Sequence, residues 1–194
     1  MAVSTPHPSP ERYAFESQIR ECFGRCAYTH KTHEKMAERL SSFSKRIKWA
    51  QIILSAVTTA GIIGIFFTKD SMAFTYGTAI VSVFNLVLSS YVKDEDTGEL
   101  AQKHREIASD VWDVREDYLS LLTDIKDQGV TIDALRVKRD ALQANLHKIY
   151  RRAPHTDAKA YANAQGALKH NEDLTFSEKE IDDFLPKPLK RLPA

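Results

Sequence analysis

Two stretches of the chain, residues 49–67 and 71–92, carry no charged side chain, and only Thr68, Lys69 and Asp70 separate them. They are 19 and 22 residues long. At the helical rise they reach about 28 and 33 Å, enough to cross a hydrocarbon core of roughly 30 Å. A three-residue connection can only return the chain on itself. The pattern therefore predicts an all-α membrane protein built on a two-helix transmembrane hairpin, with polar arms on one side. A soluble bundle helix of this length carries charges along its solvent face. Neither stretch does, which argues against burial in a soluble core.

The flanks set an orientation. Lys45, Arg46 and Lys48 precede the first span, and Lys93, Lys103 and Arg105 follow the second. The turn offers one lysine and one aspartate. Basic residues stay on the cytoplasmic side, so a multi-pass inner-membrane protein with both termini cytoplasmic is expected. Trp49 and Tyr91 fall at the inner interface, and Phe66, Phe67, Phe74 and Tyr76 near the outer one, depths that amphipathic rings favour. The start of the chain is proline-rich without an apolar core and does not read as a secretory signal. A net charge of +1 gives no electrostatic case for direct nucleic-acid binding. The only cysteines, Cys22 and Cys26, make no disulfide framework, which fits a reducing compartment.

The arms continue the helical rhythm. After a flexible 1–8, Ser9 can cap a helix that begins at Pro10. A heptad-like seam then runs through the arm 9–48: Phe15, Ile19, Cys22, Cys26, Thr29, His33, Met36, Leu40, Phe43, Ile47. Beyond the hairpin (49–92) comes a second arm within 93–153. Leu100, His104, Ile107, Val111, Val114, Tyr118, Leu121 and Ile125 repeat the seam there, with Thr97-Gly98 as an interruption and Gly129 as a left-handed stop. Residues 97–129 hold eight acidic and four basic side chains, and residues 9–48 nine basic and five acidic. An antiparallel coil of the two arms is expected, with facing positions summing to about 138 by equal rise about Lys69. That register sets Arg39 near Glu99 and Leu40 near Leu100. Thr131 opens a third helix that stops before Pro154. In 154–194, residues 156–170 are alanine-rich and weakly helical. Ser177-Glu178-Lys179-Glu180 reads as a capping box for a short helix through Phe184, followed by a flexible tail with Pro186, Pro188 and Pro193.

Candidate sites are weighed against packing. Gln51, Ser55 and Thr58 form one polar line in the first span, and Thr75, Thr78, Ser82, Asn85 and Ser89 another in the second. They serve either interhelical hydrogen bonds or a pore lining, which needs several copies because one hairpin encloses no channel. Ala56, Ala60 and Gly64 recur every four residues, a strip for close helix packing. On the third helix Arg136, Arg139, Arg151 and Arg152 either meet the acidic arm or offer contacts to ligand or lipid. Cys22, Cys26, His30 and His33 lie along one side of one helix, too straight a support for a tetrahedral zinc, so no metal is expected. No phosphate loop or nucleophile motif occurs, and neither enzyme activity nor a cofactor is expected.

The run from Tyr28-Thr29-His30-Lys31 to Lys45-Arg46-Ile47-Lys48-Trp49, continuing into Ala50-Gln51-Ile52-Ile53-Leu54-Ser55-Ala56, then a tight hairpin and a heptad-like acidic arm, resembles the SLATT family. These are bacterial two-transmembrane effectors associated with SMODS nucleotidyltransferases and SLOG sensors. The likeness covers about residues 10–150 and transfers no site residue. It implies a homo-oligomeric, conditional pore in membrane lipid that arrests or kills an infected cell as part of anti-phage defence. It also implies a separately encoded partner: a nucleotide second-messenger synthase or a reverse transcriptase. The alternative is a membrane-anchored helical scaffold that recruits a soluble signalling partner. A small-solute transporter is disfavoured, because neither span carries an ionisable coupling residue.

Overall fold

The computed structural model describes residues 9–67, 72–94, 96–127, 129–171, 173–175 and 177, with the backbone alone at 91–94. Five helices make up this part: α1 (Pro10–Phe67), α2 (Met72–Asp94), α3 (Thr97–Lys126), α4 (Ile132–Arg152) and α5 (Ala158–His170). The 68–70 turn, the side chain of Tyr91, the capping box beyond Ser177 and the proline tail lie outside the described residues. The chain divides into two compact units, one of residues 1–35 with 107–194 and one of residues 36–106.

In the first unit, Ser9 accepts from the Arg12 amide at 3.3 Å and opens α1. Phe15, Ile19 and Cys26 of α1 pack against Ile107, Val111, Val114, Tyr118, Leu121 and Ile125 of α3. Arg12 meets the Ile125 carbonyl at 2.6 Å, and His30 Nδ1 meets the Ala108 carbonyl at 2.9 Å, so α1 and α3 run antiparallel. Here the positions sum to 137 (12 + 125) and 138 (30 + 108). Within this unit these seam positions pack together because each helix places an apolar or small side chain every three to four residues on one face, whereas Phe43, further along the expected seam, is exposed.

Thr131 caps α4 through the Ala134 amide. Leu135 and Ile149 of α4 are buried in the same core, with Leu142 and Leu146 packed at its edge. Asp157 caps α5 by accepting from the Ala160 amide at 2.8 Å. Ala160, Ala164 and Ala167 are buried on one α5 face, where small side chains let helices approach closely. Tyr161 stacks on Tyr28 with centroids 5.9 Å apart, and Asp173 pairs with Lys31 at 3.0 Å. Four successive α1 residues, His30, Lys31, Thr32 and His33, are therefore buried. At 100° per residue they span most of the helix circumference, so α1 is covered nearly all round at this turn. Burial alone would lower the Lys31 pKa. Hydrogen bonds to Glu34 and Asp173 outweigh it, and the pKa is raised.

The end of α3 differs from the expected glycine stop. Gly129 does not adopt the left-handed conformation. Its amide instead donates to Asp127 Oδ1 at 3.1 Å. The Arg12 guanidinium donates to the carbonyls of Ile125, Asp127 and Val130. A side chain from α1 thus satisfies the Ile125 carbonyl in the last turn of α3, together with the Asp127 and Val130 carbonyls just beyond the helix.

In the second unit, α1 and α2 are antiparallel by their contacts: Gln51 with Ser89, Ser55 with Asn85, Gly61 with Thr78, and Gly64 with Phe74. None of the most apolar 18-residue window of either helix is buried. Thr97-Gly98 does not interrupt a helix. Asp96 Oδ1 accepts from the amides of Gly98 and Glu99, so these residues form the first turn of α3 and the break precedes them.

Replacing Arg12 with alanine should destabilise the first unit by about 2–3 kcal/mol, the scale of charge-assisted hydrogen bonds. Arg12→Lys should recover only part of this, since an ammonium lacks the planar fork that reaches several carbonyls. Thermal unfolding of the detergent-solubilised chain, followed by circular dichroism, measures both.

Candidate functional site

The seam between α1 and α2 collects most of the polar side chains of the two apolar helices. Asn85 Nδ2 donates to Ser55 Oγ at 3.1 Å, and Gln51 Nε2 donates to Ser89 Oγ at 3.3 Å. Each such bond contributes about 0.6 kcal/mol between helices in lipid. Their geometry fixes register, since polar groups away from water find partners in only one alignment. Thr58 is half-buried and returns its hydroxyl to the Leu54 carbonyl at 2.8 Å. Thr78 packs onto Gly61. Thr75 and Ser82 stand apart on exposed surface of α2. Asn85 Oδ1 is buried without a hydrogen-bond partner among the described residues.

The strip Ala56, Ala60, Gly64 is partly engaged within the chain. Ala56 and Ala60 are exposed, while Gly64 faces Phe74. Among the glycines the tightest approach falls on Gly61, a residue that small-residue spacing alone does not single out. A Cβ there would collide with Thr78 Oγ1 and lie 3.2 Å from Thr78 Cβ. A usable signal was present: a further step of three along Gln51, Ser55 and Thr58 lands on Gly61. Beside this contact a groove of about 610 Å³ opens, lined by Ala60, Gly61, Ala73, Phe74, Gly77 and Thr78.

The arginines of α4 point to neighbours within the first unit. Arg136 pairs with Glu11 at 2.7 Å. Arg139 meets Gln18 Oε1 at 3.1 Å and covers the Phe15 ring at 5.7 Å. Arg152 pairs with Asp110. Arg151 is exposed. Lys138 adds a pair with Asp124 at 2.7 Å. Such pairs contribute only about 0–1 kcal/mol each when exposed, so they orient α4 more than they hold it. Of the cysteine–histidine set, Cys26 is fully buried, and burial first, then the Cys22 thiol, pushes its pKa up to about 11. No cluster of metal-ligating side chains occurs among the described residues.

Two of the helices are long and apolar enough to cross a membrane, and their most apolar windows hold no buried residue. Residues 15–180 match the SMODS and SLOG-associating 2TM effector domain family 4, and the chain belongs to that family. It is a family of effector domains. No curated protein and no solved structure matches the chain.

Gly61→Ala should force the two helices apart and lower the unfolding temperature in detergent. Adding Thr78→Ala removes the colliding Oγ1 and should restore most of the loss. A Gly61→Ala protein as stable as the parent would contradict the contact.

Proposed function

We propose that the chain is a conditional pore-forming effector of a prokaryotic anti-phage defence system, silent until triggered and then arresting or killing the cell. The observation that carries this reading is a pair of lipid-length helices bearing polar side chains in a chain of an effector family. In the proposed topology the 68–71 connection lies outside, and both termini face the cytoplasm of a multi-pass inner-membrane protein. The flanking Lys45, Arg46, Lys48, Lys103 and Arg105 support that orientation.

One hairpin cannot surround a water path, so the active state is a homo-oligomer in lipid. The arms form its cytoplasmic coil. Thr75 and Ser82, exposed on α2, are free to meet neighbouring subunits or water. Gln51, Ser55, Asn85 and Ser89 hold the resting hairpin together through their mutual hydrogen bonds. Opening re-pairs these groups with water. A trigger achieves this only by binding the open arrangement more tightly than the closed one. The trigger comes from a system partner, a nucleotide second-messenger synthase or a reverse transcriptase. No catalytic step is assigned to the chain.

Co-expression with its neighbouring genes, under conditions that activate the system, tests the reading through a membrane-potential dye. The parent should depolarise the cell. Thr75→Leu with Ser82→Leu should abolish depolarisation while detergent-extracted oligomers persist. Growth arrest without depolarisation, unchanged by these leucines, would overturn the pore and favour a scaffold that recruits a soluble partner.

A further inference from the structure

Three cations in four residues, Lys45, Arg46 and Lys48, stand on α1 immediately before its apolar run, and all three are exposed. None has a hydrogen-bond or ion-pair partner among the described residues. α1 carries no acidic residue after Glu38, so no neighbour three or four positions away neutralises them. Where α3 starts, the carboxylates have other work. Asp96 accepts from the amides of Gly98 and Glu99, and Glu99 pairs with Lys103 at 2.7 Å.

The contacts of α1 show which way these side chains face. A Cβ on Gly98 would lie 3.7 Å from Ser44 Oγ, so Ser44 is turned to the start of α3. Gln51 and Ser55 hydrogen-bond to α2. Counted at 100° per residue from Lys45, Ser44, Gln51 and Ser55 fall about 80–120° round the helix on one side, and Trp49, Ile53 and Ala56 about 20–80° round on the other. The cations therefore sit on the part of α1 turned away from its partners. Further along, that face is apolar and open: Trp49 is 65% exposed, and Ile52 and Ile53 are each 58% exposed. Lys45 stands about 6 Å along the axis from Trp49, a distance its own apolar stem can follow.

A phospholipid presents the matching order: a headgroup phosphate, an interfacial layer that favours an indole, then acyl chains. A soluble anion would use the cations and leave Trp49 and the isoleucines idle. A zwitterionic headgroup offsets its own phosphate, whereas an anionic one keeps a net charge for the cations. We propose that this face of α1 is a binding site for anionic phospholipid, with Lys45, Arg46 and Lys48 on the headgroup and Trp49, Ile52 and Ile53 along the upper acyl chains. The assignment rests on lipid surrounding the two apolar helices, and neither on the pore reading nor on which side the termini face. All of its residues belong to the second unit.

The test uses the full chain reconstituted in lipid vesicles. Trp112→Phe leaves Trp49 as the only tryptophan. Its fluorescence is quenched by lipid brominated near the top of the acyl chain, supplied either as phosphatidylcholine or as phosphatidylglycerol at equal fraction. Phosphatidylglycerol should occupy the site about 5-fold more strongly, the advantage of one effective cation at a charged membrane surface. High salt should remove most of that preference, because the cations are exposed. Lys45→Gln with Arg46→Gln and Lys48→Gln should equalise the two lipids and leave insertion unchanged, since these side chains hold no internal partner. Equal quenching by the two lipids in the chain with all three cations would overturn the proposal. So would a preference that the triple variant keeps. Failure to enter pure phosphatidylcholine vesicles would instead contradict the membrane reading on which the site rests.

Discussion

The structure depends first on a surface that water cannot accommodate. Ile52, Ile53, Ile63, Val83, Phe84, Leu86 and Val87 are all exposed on two long helices, and nothing among the described residues covers them. Burying apolar surface contributes roughly 25 cal/mol per Å², so leaving this much in water would be untenable for a small helical protein. Lipid relieves that cost without any internal core. Once lipid is the surrounding solvent, the few polar groups on those helices become the specific ones. Amides and hydroxyls that water would have satisfied anywhere gain by pairing across the seam or, as Thr58 does with the Leu54 carbonyl, within their own helix. The Asn85–Ser55 and Gln51–Ser89 bonds, with the Gly61–Thr78 approach between the backbones, answer that requirement.

The first unit obeys the opposite rule. Its core is conventional, an interlocked α1–α3 pair extended by α4 and α5, and water surrounds its charged faces. Its specific features are buried polar contacts at the two levels where α1 is held. At one level Arg12 gathers three carbonyls from the α3–α4 junction. At the other, His30 meets the Ala108 carbonyl, and Lys31 reaches Glu34 and Asp173. α1 belongs to both units, through Lys35 in one and from Met36 in the other.

Much of this was legible in the residues because it follows from period and length. The apolar helices are visible as charge-free runs, the core of the first unit as seams of three and four, and α4 from Thr131 and the stop before Pro154. What was missed depends on long-range partners. Gly129 has the right residue type for a left-handed stop, yet Arg12, more than a hundred residues away, meets the Ile125, Asp127 and Val130 carbonyls there. Asp96 rather than Thr97-Gly98 marks the helix break, because the capping acceptor decides it. Alanine content gave α5 only weak helicity. Its stability comes from docking through Ala160, Ala164, Ala167, Tyr161 and the Asp173–Lys31 pair. For the same reason the polar span residues could be recognised as a set, but not divided into those that bond across the seam and those, Thr75 and Ser82, that stay exposed.

The most direct measurement of the central claim is the partition of the expressed chain between membrane and water after alkaline carbonate extraction and flotation on a sucrose gradient. A protein whose two apolar helices are solvated by lipid stays with the floating membranes and is released only by detergent. Recovery in the aqueous fraction as a stable, detergent-free monomer would contradict the account at its base.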